Sequence, residues 1–184
     1  MKYVYYHYEN FFNFDEAEAL RNYCLNNPSN FFYDIPGHEK NCKTSVIETK
    51  PSIKNLPFFE KYFDVVRMTN DKHFGFKLFD TNPLGFNYNI YEKENNEYSL
   101  HRDTNELGSS SDIKLTAILN LSNKEYTGGQ FVMRFDGDEL HEIVELNKPL
   151  SLIVFPSFYY HGVNPVTSGQ RISLSCWFEG PNWK

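Results

Sequence analysis

The sequence predicts a mainly β protein with N-terminal helices, its β part a sandwich or a barrel. Three observations carry this expectation. Helical spacing of apolar residues is confined to the chain before residue 74. From residue 74 onward the apolar period is two, the repeat of a strand whose successive side chains face opposite sides. Short runs of that kind then follow one another, separated by turn chemistry at Asn82-Pro83-Leu84-Gly85, Thr127-Gly128-Gly129 and Asp136-Gly137-Asp138. Many short strands at regular spacing are the mark of sandwiches and barrels.

Taken in order, residues 3–8 are aromatic and β-branched and read as a short strand. Asn13-Phe14-Asp15-Glu16 opens a helix: Asn13 or Asp15 can cap it, and acidic residues suit its positive end. Leu20, Tyr23 and Cys24 give its apolar face, and Asn26-Asn27-Pro28 stops it. Residues 27–52 are polar and mixed, with a turn at Pro36-Gly37 and a short strand near Ser45-Val46-Ile47. A second helix starts at Asn55 with Pro57 in its first turn. Its stripe of Phe59, Tyr62, Phe63 and Val66 is suited to covering a sheet. Phe74, Phe76 and Leu78 alternate as in a strand. Further strands are expected at 86–91, around 98–101, and at 114–120, 130–134, 142–146, 150–155 and 171–178, with an extended piece beginning at His161.

Composition bounds the rest. The 184 residues suit one domain, 1–184, with 1–73 as helical support for a β core over 74–184. At 40% hydrophobic and 23% charged the chain is globular, and the 17% aromatic content belongs in strands and the core they bury. The net charge of -6, with no basic run, makes a nucleic-acid partner unexpected. Cys24, Cys42 and Cys176 are odd in number and scattered, which argues against a disulfide framework or a cysteine zinc site. No apolar run is long enough to span a membrane, and the start lacks the apolar stretch of a signal peptide, so a cytoplasmic protein is expected.

The chemistry concentrates at Tyr98-Ser99-Leu100-His101-Arg102-Asp103. On a strand, His101 and Asp103 would project to one side. A lone His-x-Asp is weak, since its ordinary meaning is a hydrogen-bonded pair or two surface residues. His161 follows the apolar run Ser151-Leu152-Ile153-Val154-Phe155 and would complete a 2-His-1-carboxylate set. Such a set suits non-haem Fe(II) and leaves coordination positions open. Arg171, Ser173 and Ser175 share one strand face, opposite Ile172, Leu174 and Cys176. Facing outward they are ordinary. Facing inward, the arginine needs an anion, and a dicarboxylate could take a bidentate guanidinium contact with a neighbouring hydroxyl.

These pieces, with Tyr91, Leu119-Asn120-Leu121-Ser122, Thr127-Gly128-Gly129-Gln130-Phe131, Phe155-Pro156-Ser157, His161-Gly162-Val163 and Pro165 through Ser173, resemble the Fe(II)- and 2-oxoglutarate-dependent dioxygenases of the prolyl 4-hydroxylase-like group. Glu9 through Ala17 also looks like the N-terminal segment of that family. The resemblance implies a double-stranded β-helix, the jelly roll of cupin-like proteins, with iron held in one mouth. It matches His101, Asp103 and His161 to the metal ligands and Arg171, with Ser173, to the anchor of the distal carboxylate of 2-oxoglutarate. It matches Tyr91 to a tyrosine of the co-substrate pocket and Asn120 to another co-substrate contact. Tyr98 and Trp177 are expected to pack near the site. Arg171 stands where animal collagen-type enzymes carry lysine. The carboxylate of Asp103 favours hydroxylation over halogenation, and Thr104 replaces an asparagine common in relatives.

The activity implied is hydroxylation of an unactivated C–H, using Fe(II), 2-oxoglutarate and O₂ with ascorbate in support. By resemblance the substrate is a peptidyl residue, proline favoured. The alternatives are a hydroxylase of a free amino acid or other small molecule, a cupin-like metal barrel of other chemistry, and a non-catalytic binding module. Specificity is expected in residues 27–52 and 104–113, the latter a polar, serine-rich stretch that is either a surface loop or a lid.

Overall fold

The computed structural model describes residues 4–28, 42–48, 57–83, 85–92, 94–105 and 109–183. Most of the segment 27–52 and residues 106–108 of the serine-rich stretch therefore lie outside the described residues, as does the expected helix start at Asn55.

The first helix, α1 (Phe14–Asn26), begins where its cap dictates. The Glu16 amide donates to Asn13 Oδ1 at 2.9 Å and the Asn13 amide donates to Glu16 Oε2 at 2.8 Å, a reciprocal capping box. Ala17, Leu20, Arg21 and Cys24 form its buried stripe, and the Asn27 amide closes its end on the Tyr23 carbonyl. Helix α2 (Pro57–Thr69) buries Phe59, Tyr62, Phe63 and Val66, the stripe expected from its spacing. Burying each such side chain contributes roughly 1.5–3 kcal/mol.

The strands are β1 (Tyr6–Tyr8), β2 (Lys43–Glu48), β3 (Gly85–Tyr91), β4 (Tyr98–His101), β5 (Ser111–Asn120), β6 (Tyr126–Gly128), β7 (Phe131–Arg134), β8 (His141–Glu142), β9 (Leu152–Pro156), β10 (Tyr160–Val163), β11 (Val166–Gly169) and β12 (Arg171–Pro181). Among the described residues they form a six-stranded sheet in the order β1-β9-β5-β12-β3-β2 and a four-stranded sheet in the order β4-β10-β7-β8, with β11 and β6 as a separate pair. Apart from β2 with β3 and β7 with β8, the neighbouring strands are non-consecutive in the chain, as in a jelly roll.

The alternation along β12 decides which side does what. Ile172, Leu174, Cys176 and Phe178 join the core beneath the helices, where Phe86 of β3 meets Phe59 and Tyr62 of α2 at ring distances of 5.0 and 5.2 Å. Arg171, Ser173, Ser175 and Trp177 face the other way, into a pocket between the sheets. A second core of Phe131, Met133, Ile153 and Phe155 fills the sandwich beside that pocket.

Two expected strands are corrected. Residues 74–79 keep the predicted face, since Phe74, Phe76 and Leu78 all pack on the helix-side core, but they form no ladder. Asn70–Phe74 is a π-turn ended by Gly75 at φ +72°. The Asn70 side chain then takes both the amide and the carbonyl of Phe76 at 3.0 and 2.9 Å. The segment then passes beside the later half of β12, where the Phe79 amide donates to the Glu179 carbonyl at 2.9 Å without a ladder forming. At 142–146 only His141–Glu142 is strand, and Val144–Asn147 winds into a 3-10 turn that buries Leu146. Conversely, β11 and its partner β6 lie where the sequence predicts no strand, β6 running into the expected turn at Thr127-Gly128-Gly129. The three cysteines are free and buried, and among the described residues no helix is long and apolar enough to cross a membrane.

Candidate metal centre

Two imidazoles and a carboxylate converge between the sheets. His101 on β4 and His161 on β10 are cross-strand partners. Gly162 permits that approach, because a Cβ there would meet the Tyr98 carbonyl oxygen at 2.7 Å. Asp103 lies just beyond β4, and its Oδ1 and Oδ2 stand 3.3 Å from His101 Nε2 and His161 Nε2 respectively. One ligand-capable atom from each of the three residues falls within a 4.8 Å cluster.

The orientation of the rings is fixed from behind. His101 Nδ1 sits 2.9 Å from the Ser99 carbonyl and His161 Nδ1 3.1 Å from the Tyr159 carbonyl. A carbonyl can only accept, so each Nδ1 carries hydrogen, and a neutral ring then presents an Nε2 lone pair to the cluster. Metal-bound histidines are held by the same kind of outer hydrogen bond. Burial alone would raise the Asp103 carboxyl pKa, but the His101 and His161 rings beside it and the Thr116 hydroxyl outweigh this and hold the group well below the usual carboxylate range. Burial lowers the His101 pKa, and the Asp103 carboxylate with the Ser99 carbonyl more than reverses this, leaving it raised.

Deeper in the same pocket lies Arg171, 1% exposed. Its Nη1 donates to Ser173 Oγ at 3.3 Å, its Nε is buried with no hydrogen-bond partner, and its guanidinium lies 5.0 Å from the Tyr91 ring centroid. It makes no ion pair with a carboxylate of the described residues. A buried guanidinium without an anion is costly, and this one faces a cavity rather than a protein acid. Burial also pushes the Tyr91 phenol well above its ordinary range. The donor set and the unpaired arginine thus fit a divalent metal with an anionic chelator.

A sequence profile described as the 2OG-Fe(II) oxygenase superfamily matches residues 86–179, half of the chain. The chain belongs to this superfamily. A PKHD-type hydroxylase of Gloeothece citriformis is 35% identical over 85 residues, covering 45% of this chain and 37% of that relative. A PKHD-type hydroxylase of Psychrobacter is 32% identical over 102 residues, covering 55% and 37%. These matches span little more than a third of the relatives' length. Among solved structures, a Pseudomonas putida prolyl-4-hydroxylase superposes with a TM-score of 0.69 at 20% identity over 97% of this chain and 94% of its own. A viral collagen prolyl hydroxylase from Paramecium bursaria Chlorella virus-1 gives a TM-score of 0.71 at 17% identity over 98% and 97%. At such identities the likeness is one of fold.

Within this member of the superfamily the structure brings together His101, Asp103, His161, Arg171, Ser173 and Tyr91, all lining one pocket with Tyr98 and Trp177. Asn120 is not brought there. It is fully buried, its Nδ2 donates to Tyr126 Oη at 3.1 Å and the Leu146 carbonyl at 2.8 Å, and its Oδ1 accepts from the Ser122 amide. Those bonds tie the end of β5 to the 3-10 turn and leave no amide hydrogen directed at the pocket. Sequence reasoning missed Asn87, Asn89, Thr116 and Ile118 as lining residues. Asn87 and Asn89 were within reach, being polar at the period of Tyr91 on a strand whose other face is Phe86 and Tyr88. Thr116 needed the register of β5 against β12, which no local pattern prints.

Proposed function

We propose that this chain is an Fe(II)- and 2-oxoglutarate-dependent dioxygenase that hydroxylates an unactivated C–H of a peptidyl residue, prolyl in the first instance. The observation that carries the reading is Arg171: a buried guanidinium, free of any protein carboxylate among the described residues, in the pocket of the His-Asp-His set. A metal barrel of other chemistry has no need of such a group.

His101 Nε2, His161 Nε2 and the Asp103 carboxylate would hold the iron. Iron bound there supplies the oxidising chemistry: O₂ and 2-oxoglutarate are consumed, one oxygen atom enters the substrate C–H and the other leaves in succinate, with CO₂. The remaining work belongs to side chains. Arg171 binds the distal carboxylate of 2-oxoglutarate bidentately, with Ser173 adding a hydroxyl. Tyr91 walls the co-substrate against the guanidinium. Tyr98 and Phe131 line the pocket and pack on the His101 and His161 rings respectively.

The peptidyl substrate rests on the company the fold keeps. One structural neighbour is a Trichoplax adhaerens prolyl hydroxylase in complex with a hypoxia inducible factor peptide, at a TM-score of 0.68 and 13% identity, and the curated relatives are hydroxylases. Purified protein with Fe(II), ascorbate and 2-oxoglutarate should form succinate, and mass spectrometry of a proline-containing peptide library should show gain of one oxygen. Succinate without peptide oxidation, rising when free amino acids are added, favours the small-molecule alternative. No succinate under any condition sinks the oxygenase reading.

A further inference from the structure

The Asp103 carboxylate is gripped by a residue outside the ligand set. We infer that Thr116 is a positioning residue of the metal centre, whose hydroxyl fixes which carboxylate oxygen of Asp103 is free to bind metal. This rests on the metal reading above.

Both imidazoles belong to the four-stranded sheet and are locked by backbone carbonyls. Asp103 differs, because the chain has left β4 and crosses toward the six-stranded sheet. Its amide donates to the Ser157 carbonyl at 3.2 Å, and the Ser157 amide donates to the Lys114 carbonyl at 3.1 Å, which stitches the crossing to β5. Two residues on from Lys114, Thr116 Oγ1 lies 2.6 Å from Asp103 Oδ2. An ionised carboxylate only accepts, so the hydroxyl donates, and the length falls in the range of roughly 2.5–2.7 Å expected for a charge-assisted bond. Both residues are buried.

Thr116 is well placed to act as a fixed point. It sits in the middle of the six-stranded sheet, opposite Trp177 on one side and Phe155 on the other. Threonine is stiff at χ1 because of its branched Cβ, so its hydroxyl position is set by the strand. The carboxylate torsion of an aspartate is broad and nearly two-fold when left alone. With the hydroxyl engaging Oδ2, Oδ1 faces only His101 Nε2, 3.3 Å away, and is the oxygen left to share an ion with that ring. Without it, the carboxylate can turn and offer both oxygens, filling a position the co-substrate or O₂ requires.

The test compares Thr116→Val and Thr116→Ala, which remove the hydroxyl, with Thr116→Ser, which keeps it. Calorimetry gives the Kd for Mn(II), and ligand-field absorption of the Co(II)-loaded protein reports the coordination. Loss of the hydroxyl is expected to weaken Mn(II) binding about 10- to 100-fold, the usual cost of an outer-shell partner, and to move the Co(II) bands. Thr116→Ser is expected to stay within about threefold of the native chain, well inside that cost. Either hydroxyl-free variant, folded and binding Mn(II) with native affinity and an unchanged Co(II) spectrum, overturns the inference. So does Thr116→Ser binding as weakly as Thr116→Val, which would place the effect in packing. A native chain that binds neither ion overturns the metal reading itself.

Discussion

His101 on β4 and His161 on β10 stand opposite one another in the four-stranded sheet, their ring centroids 4.3 Å apart. The candidate metal centre is therefore a cross-strand pair with a carboxylate added, and its geometry depends on how closely the two strands approach. Gly162 is the residue that allows the approach. Gly162→Ala puts a methyl 2.7 Å from the Tyr98 carbonyl oxygen and 3.3 Å from Leu100 Cα. Backbone cannot yield as a flexible side chain would, so the expected cost is about 1–3 kcal/mol of stability. Mn(II) affinity should fall with it. Chemical denaturation and calorimetry on one preparation check both.

Removing either imidazole is more severe. His101→Ala or His161→Ala should abolish the rise in melting temperature that Mn(II) confers on the native chain, since losing a ligand costs more than the roughly 10- to 100-fold of an outer partner. The fold itself should survive, because neither ring belongs to the large aromatic core under the helices.

Arg171 separates stability from function. Its burial without an anion is a standing cost to the unliganded protein. Arg171→Met should leave the melting temperature of the unliganded chain equal or higher, while 2-oxoglutarate binds about 1.5–3 kcal/mol more weakly. Arg171→Lys should recover only part of the loss, because an ammonium cannot reproduce the bidentate fork. Thermal denaturation and co-substrate titration on the same variants decide it.

Acid should act on the metal-free and metal-bound chains in opposite senses. The His101 pKa is raised in the fold, so protonation favours the folded metal-free chain. That contribution is complete below the unfolded value of about 6.5 and fades as pH rises through the folded value. Metal must displace the same proton, so Co(II) affinity should increase as pH rises through that window. Affinity that is flat from about pH 6 to about pH 8 would count against His101 as a ligand.

The capping box of α1 should be independent of all this. Asn13→Ala is expected to cost about 1 kcal/mol of stability and leave metal affinity unchanged, as α1 packs on the far face of the six-stranded sheet.

What could be read from the sequence follows from the range of each interaction. The cap at Asn13, one of the two that the sequence offers, and the stripe Phe59, Tyr62, Phe63 and Val66 are local patterns, and both appear in the structure. The division of β12 into an apolar face and the Arg171 face is equally local, though only the fold shows that the second face points inward. Phe74, Phe76 and Leu78 mislead because alternation reports which side is buried, not where the backbone finds its hydrogen bonds, which at Phe76 is the Asn70 side chain. Thr116 carries no local signal, and Asn120 lies away from the pocket that the resemblance assigns it, for a related reason. Each is defined by partners distant in sequence, Asp103 for one and Tyr126 with the Leu146 carbonyl for the other.

The central claim is that the His-Asp-His set and Arg171 form one chelating site for a dicarboxylate. Titration of 2-oxoglutarate into the protein under nitrogen, with and without Mn(II), tests it most directly, with Arg171→Met in parallel. Saturable binding of one 2-oxoglutarate that requires Mn(II) and weakens sharply in Arg171→Met is the expected result. Binding that is equally tight without metal, or unchanged in Arg171→Met, would contradict it.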